Sequence, residues 1–151
     1  MTLLMKDPDA VLDYAIDWSA EYLARADQGK KTAEEEDRKT IAARRTGTRP
    51  SLPPAGYAGT YTDALYGDAT VRAEENGRLV LRLARSPNLI ADLQHWHYDI
   101  FEIRWRPTVA YNFPRGFVVF NIDKNGRTDK MEIDQPNNDF WFYELEFRRS
   151  K

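Results

Sequence analysis

Residues 57–67 read YAGTYTDALYG, and they divide the chain into two kinds of pattern. Before them, apolar residues recur at helical spacing. After them, as far as Phe147, apolar and polar residues alternate with the period of a strand. The stretch itself predicts a first strand over Tyr57–Tyr61, with Gly59 and Gly67 as bends and Tyr57, Tyr61 and Tyr66 packing inward. Asp68–Glu75 alternates next, and Asn76-Gly77 is a two-residue hairpin signal leading into Leu79, Leu81 and Leu83. Ser86-Pro87-Asn88 reads as a turn. Leu89–His95 and Asp99–Trp105 follow, either as two strands or as one long bent strand. Pro107–Gly116 is a loop, and Phe117–Ile122 is apolar enough to be buried on both faces. Asn125-Gly126 signals a second hairpin into Thr128–Ile133. Pro136-Asn137-Asn138 then turns the chain into a last strand through Trp141, Tyr143, Leu145 and Phe147.

These are about eight short strands joined by tight turns, with no crossover helix. The expected fold is mainly β: an antiparallel meander of about eight strands closed into a barrel, which removes exposed edges. A two-sheet sandwich is the alternative.

Working back from residue 57, Gly47–Gly56 (GTRPSLPPAG) has the prolines and glycines of a semi-rigid linker. Thr32-x-x-Glu35 fits a capping box, and Glu34–Arg38 and Glu35–Lys39 have the favourable i,i+4 order, so a solvated helix or a spacer is expected there, with a charged partner-binding helix as the alternative. The first helix starts at Asp7-Pro8 and is expected to end near Gly29. Its apolar positions include Val11, Leu12, Tyr14, Trp18, Tyr22 and Leu23, while Asp9, Asp13, Asp17 and Glu21 recur on the other side. Tyr14, Trp18 and Tyr22 make a face too heavily aromatic for a spacer, and they mark an interaction helix. The organisation read from sequence is therefore a helical segment (1–46), a Pro-rich linker (47–56) and a β-barrel domain (57–151).

Bulk composition narrows the function classes. A formal charge of −2 gives no global field for nucleic acid or an anionic membrane. The absence of cysteine excludes disulfides, thiol catalysis and thiolate metal sites. The Leu3-Leu4-Met5 run is too short for a signal-peptide core or a membrane span. There is no glycine loop of the Walker or dinucleotide type.

Four runs carry a family pattern: PSLPPAGYAGTYTDALYGDATV (Pro50–Val71), NGRLVLRL (Asn76–Leu83), LQHWHYDIFEIRW (Leu93–Trp105) and FNIDKNGR (Phe120–Arg127). Together they resemble the small C-terminal domain of unknown function appended to β-lactamase-like serine hydrolases and relatives of penicillin-binding proteins. DPDAVLDYAIDWSAEY (Asp7–Tyr22) is similar to the exit helix of the hydrolase portion. The resemblance implies a lipocalin-like barrel, a role in holding an oligomer together, and a parent protein that is often bacterial and periplasmic or extracellular. It does not carry hydrolase activity across. Ser19, Ser51, Ser86 and Ser150 are the only serines, and none has Lys three residues on. Tyr111-Asn112 lacks the spacer of a Tyr-x-Asn element, and Arg45-Thr46-Gly47 only superficially matches the Lys/His-Thr-Gly strand.

Four constellations remain. His95, His97 and Asp99 share one face if the strand is continuous, about 6–7 Å apart, and can hold zinc or another divalent ion with water. The alternative is hydrogen bonding within the barrel wall. Phe101, Trp105, Trp141 and Tyr143 can line a cavity for a small apolar ligand, or simply fill the barrel. Arg104, Arg106, Arg115, Arg148 and Arg149 lie near aromatics, but interleaved acids argue against nucleic acid. Asp123-x-Asn125-Gly126 is explained as a hairpin turn rather than a calcium loop. The expectation is a non-catalytic interaction module without a cofactor, partnered by a second copy or a β-lactamase-like catalytic domain. Lipocalin-like binding of a small hydrophobic ligand is the alternative.

Overall fold

A computed structural model describes residues 8–106, 113–136 and 145–150, with residues 8–19 described by their backbone alone. The chain forms two compact units, residues 1–43 and 44–151.

The first unit holds one continuous helix, α1 (Pro8–Ala42), about 52 Å long at the usual helical rise. The expected break at Gly29 does not occur. Strong helix formers flank that glycine (Gln28, Lys30 and Lys31), and its cost of about 1 kcal/mol is absorbed within the run. Thr32, expected as a cap, instead bonds through its hydroxyl to the Gln28 carbonyl one turn back (2.9 Å), as a mid-helix threonine does. Lys39 pairs with Glu36 (3.4 Å) rather than Glu35, and Arg25 pairs with Glu21 (2.7 Å). From residue 20 onward the helix is almost wholly exposed, with Tyr22 at 69% and Leu23 at 64%.

The second unit is a closed antiparallel barrel in simple sequence order. Its strands are β1 (Gly59–Asp63), β2 (Gly67–Ala73), β3 (Leu79–Leu83), β4 (Ser86–His97), β5 (Ile100–Trp105), β6 (Gly116–Ile122), β7 (Thr128–Asp134) and β8 (Phe147–Arg149). The barrel, not the sandwich, is therefore the architecture. Both hairpin signals hold: Gly77 and Gly126 adopt φ values of 81° and 79°, which a side chain would resist. Several strand boundaries differ from expectation, among them β8, which starts at Phe147, where the last strand was expected to end. Tyr57 ends a short turn of helix, α2 (Pro54–Tyr57), so β1 starts at Gly59. Ser86-Pro87-Asn88 does not turn the chain but opens β4, after a register shift at Arg82/Leu83. Phe117–Ile122 alternates in burial rather than being buried on both faces.

Alternation places one set of side chains inside. Tyr61, Ala69, Val71, Leu79, Leu81, Leu83, Leu93, Phe101, Ile103, Val118, Phe120, Met131, Ile133 and Phe147 form a single core. Tyr57 enters it from α2. Its ring lies 5.1 Å from Phe101 and 4.9 Å from Phe120, and Phe120 also meets Tyr61 at 5.9 Å and Phe101 at 5.6 Å. These four rings occupy one end of the barrel interior, in the tilted and edge-on geometries that aromatic pairs prefer.

Closure depends on the short β8, which pairs with both β1 and β7. Arg149 reinforces that seam. Its guanidinium donates to Thr128 Oγ1 (2.6 Å) and to the carbonyls of Ala58 (2.8 Å) and Gly56 (3.3 Å), so the incoming chain, β7 and β8 are held by one side chain. At the other end of β1, Asp63 fixes the turn to β2. Its carboxylate accepts from the backbone N–H of Leu65 (2.8 Å), Tyr66 (2.8 Å) and Glu146 (2.8 Å). The same residue thus sets the hairpin and holds the approach to β8.

Candidate functional site

The most polar cluster of the barrel unit lies where β4 turns into β5, against the segment that precedes the barrel. The Pro-rich stretch, expected as a spacer, is hydrogen-bonded to the barrel wall. Arg44 donates to the carbonyls of Trp96 (3.0 Å) and His95 (3.3 Å), and its guanidinium lies 4.6 Å from the centre of the Trp96 ring. Arg45 N–H donates to His97 Nδ1 (2.9 Å). Ser51 donates to Asp99 through both its backbone N–H (3.0 Å) and its hydroxyl (2.9 Å). The Tyr57 hydroxyl completes the set, donating to Asp99 (2.5 Å) and accepting from Leu52 N–H (3.2 Å).

His95, His97 and Asp99, expected to share one face of a continuous strand, are instead engaged separately. The β4–β5 ladder shifts register between His95 and His97, which breaks the period-2 alignment on which a shared face depends. Each group has its own task. His95 Nε2 donates to the Tyr98 carbonyl (2.9 Å), and His97 Nδ1 uses its lone pair on Arg45. The two oxygens of Asp99 accept from Ser51 and Tyr57. Among the described residues no three His, Asp or Glu side chains gather as a cation site. The expected metal set is replaced by three separate fastenings.

The electrostatics agree with that role. Burial lowers the pKa of His97, and the nearby His95, Arg44 and Arg45 add to the effect, which favours the neutral imidazole that accepts from Arg45 N–H. Burial, then the hydrogen bond to Asp99, pushes the Tyr57 phenol well above the usual tyrosine range. The stability carried by the protonated phenol is fully present below the unfolded value near 10 and is lost as pH rises through the raised folded value. Tyr57→Phe is expected to cost about 1.5–3 kcal/mol, the range for a hydrogen bond to a charged group, measured by urea unfolding at neutral pH.

Of the residues expected to line a cavity, Phe101 is packed among the rings of Tyr57, Phe120 and His95. Trp105 is only partly buried, donates to Gln135 Oε1 (2.9 Å) and meets the Phe113 ring at 5.4 Å. Trp141 and Tyr143 lie outside the described residues. Among the described residues an open cleft of about 570 Å³ lies elsewhere, beside the β6–β7 hairpin, lined by Leu52, Gly56, Asp123, Arg127, Thr128 and Arg149 among others. Of the interaction helix, Tyr22 is exposed, while the side chains of Tyr14 and Trp18 are outside the described set. No described helix is long and apolar enough to cross a membrane.

Sequence reasoning missed Asp63, Arg149 and the Tyr57–Asp99 bond. An Asp ahead of a turn is a legible signal for the first, since Asx side chains accept from N–H groups two and three residues on. Arg149 and Asp99 act across more than 40 residues of sequence, where no local spacing reports them.

A closed antiparallel meander preceded by a helix is the class of domain that these elements define. The pattern of a domain of unknown function, DUF3471, matches residues 43–149, and the chain belongs to that family. A solved structure, the crystal structure of the C-terminal domain of penicillin binding protein Rv0907, is similar to it. The TM-score is 0.52, with 25% identity, covering 71% of this chain and 94% of that domain. No curated protein matches the chain.

Proposed function

We propose that this chain is a non-catalytic accessory module of a serine hydrolase of the penicillin-binding-protein type, and that it works by self-association through α1. The observation that carries the accessory-module part of this reading is the similarity to almost the whole of a penicillin-binding protein's C-terminal domain. The barrel supports it as a scaffold: its polar cluster is spent on fastening residues 44–52, and aromatic rings fill one end of its interior. The helix supplies the surface, because Tyr22 and Leu23 stand exposed one turn beyond Trp18.

Tyr22→Glu tests it. The side chain is 69% exposed, so the change leaves the barrel intact while placing a charge in the association face. Light scattering is expected to show the variant at subunit mass where the parent chain is larger. An unchanged mass distribution removes the helix from the interface. The alternative, an apolar ligand inside the barrel, has less support, since Phe101 is packed between two rings of the core. Native mass spectrometry separates the two readings. Retained small-molecule mass on each subunit favours the ligand, and multiples of a bare subunit favour the assembly.

A further inference from the structure

Tyr98 stands in the turn between β4 and β5 with φ 49°, the sole non-glycine residue of positive φ among those described. Glycine or asparagine adopts that conformation more cheaply, so a tyrosine kept there points to a use for its side chain. That side chain is exposed, at 54%. The backbone beneath it is fastened from both sides. Tyr98 N–H donates to Thr48 Oγ1 (3.0 Å), and the Tyr98 carbonyl accepts from His95 (2.9 Å). The ring is a fixed aromatic knob on the outside of the barrel.

Two arginines, Arg45 and Arg49, belong to the segment fastened beside it. The His97 ring lies 5.5 Å from that of Tyr98 and is bonded to the backbone of Arg45, and Arg49 directly follows Thr48. The Asp99 carboxylate, next to Tyr98 in sequence, is turned to Ser51 and Tyr57, and the two guanidiniums outnumber it. Arg45 and Arg49 are exposed and form no ion pair among the described residues.

Helix α1 carries the complementary pattern. Asp9, Asp13, Asp17 and Glu21 recur at i,i+4 beside Tyr14, Trp18 and Tyr22, and no Lys or Arg lies between Asp7 and Glu21. The backbone is helical from Pro8, and the i,i+4 spacing assigns these four positions to one face of it. Like charges at that spacing repel unless something neutralises them, and Arg25 pairs with the last of the four, Glu21.

We infer that the acidic, aromatic first half of α1 from a second copy docks on the barrel patch made by Tyr98, Arg45 and Arg49. This rests on the self-association proposed above and adds where the helix lands. Exchanged between two copies, the contact is self-complementary, as a two-fold dimer requires. Oppositely charged rims around an aromatic anchor favour fast association that weakens as salt is added.

The test is sedimentation velocity on the full chain and its charge-reversed variants. Arg45→Glu/Arg49→Glu and, separately, Asp13→Arg/Asp17→Arg are each expected to weaken association about tenfold or more. An equimolar mixture of the two is expected to associate again, because the reversed helix of one meets the reversed patch of the other. Tyr98→Asn is expected to weaken association while leaving the barrel's melting temperature unchanged or higher. The inference is overturned if either charge-reversed variant associates like the parent chain, or if the mixture stays monomeric. If Tyr22→Glu dissociates the assembly but the Arg45/Arg49 variant does not, helix-mediated association stands and this landing site is wrong. A parent chain monomeric at every concentration removes both.

Discussion

Phe120→Ala is expected to destabilise the barrel by about 3–5 kcal/mol, the usual range for removing a buried phenylalanine. The Phe120 ring is the one that Tyr57, Tyr61 and Phe101 all contact, at 4.9–5.9 Å. Its loss leaves a cavity bounded by β1, β5 and α2, and none of these can close in without giving up fixed bonds. Tyr61 is tied to Tyr57 (2.8 Å) and Thr128 (2.9 Å), and Tyr57 to Asp99. A domain of ordinary stability has only about 5–15 kcal/mol in hand, so much of the margin goes with one side chain. Guanidinium unfolding followed by tryptophan fluorescence measures it. A cost below about 1 kcal/mol, a typical surface value, shows that the barrel end is not packed as described.

Asp63→Ala is the second large effect, about 2–3 kcal/mol, because three backbone N–H groups lose their acceptor at a buried position. This effect also has a pH signature. Burial raises the Asp63 carboxyl, but N–H bonds from Tyr66, Glu146 and Leu65 outweigh it and hold it below the usual carboxylate range. A depressed folded value means the stabilisation is present above the unfolded value near 3.9 and is lost as pH falls through the folded one. The difference between parent and Asp63→Ala is therefore expected to be constant near neutrality and to shrink on acidification. Asp63→Asn keeps one acceptor oxygen but turns an amide toward one of the three N–H groups, and is expected to fall between the two. A gap that does not change with pH assigns the loss to packing instead.

The barrel was legible because its signals are local. Period-2 alternation selects the inward set, and Asn76-Gly77 and Asn125-Gly126 supply turns whose positive φ the structure bears out. Other features depend on what the chain meets in three dimensions. Gly29 and the Thr32 box looked like a helix boundary, yet strong formers on both sides carry α1 through. Residues 47–56 looked like a spacer because prolines and glycines dominate. Their docking on the barrel comes from Thr48, Ser51 and Leu52 meeting Tyr98, Asp99 and Tyr57, contacts 5 to 50 residues apart in sequence. The separate hydrogen bonds of His95, His97 and Asp99 were illegible for a similar reason. A register shift within β4 turns Trp96 into the buried residue, packed against Phe117 at 5.1 Å, and leaves each histidine to a different bond.

The opening stretch, Tyr57–Gly67, shows both outcomes together. Its three tyrosines are buried as their spacing suggested, at 1%, 0% and 9% exposure. Its most consequential polar residue is Asp63, which alternation alone does not single out.

The central claim is that a packed barrel serves as a scaffold and that association runs through α1. Sedimentation equilibrium of the parent chain beside Tyr22→Glu, with circular dichroism as the control for folding, tests it most directly. The parent is expected to show a mass above one subunit that rises with concentration, and the variant a single-subunit mass with an unchanged strand spectrum. A parent chain that stays at one subunit mass across the same concentrations contradicts it.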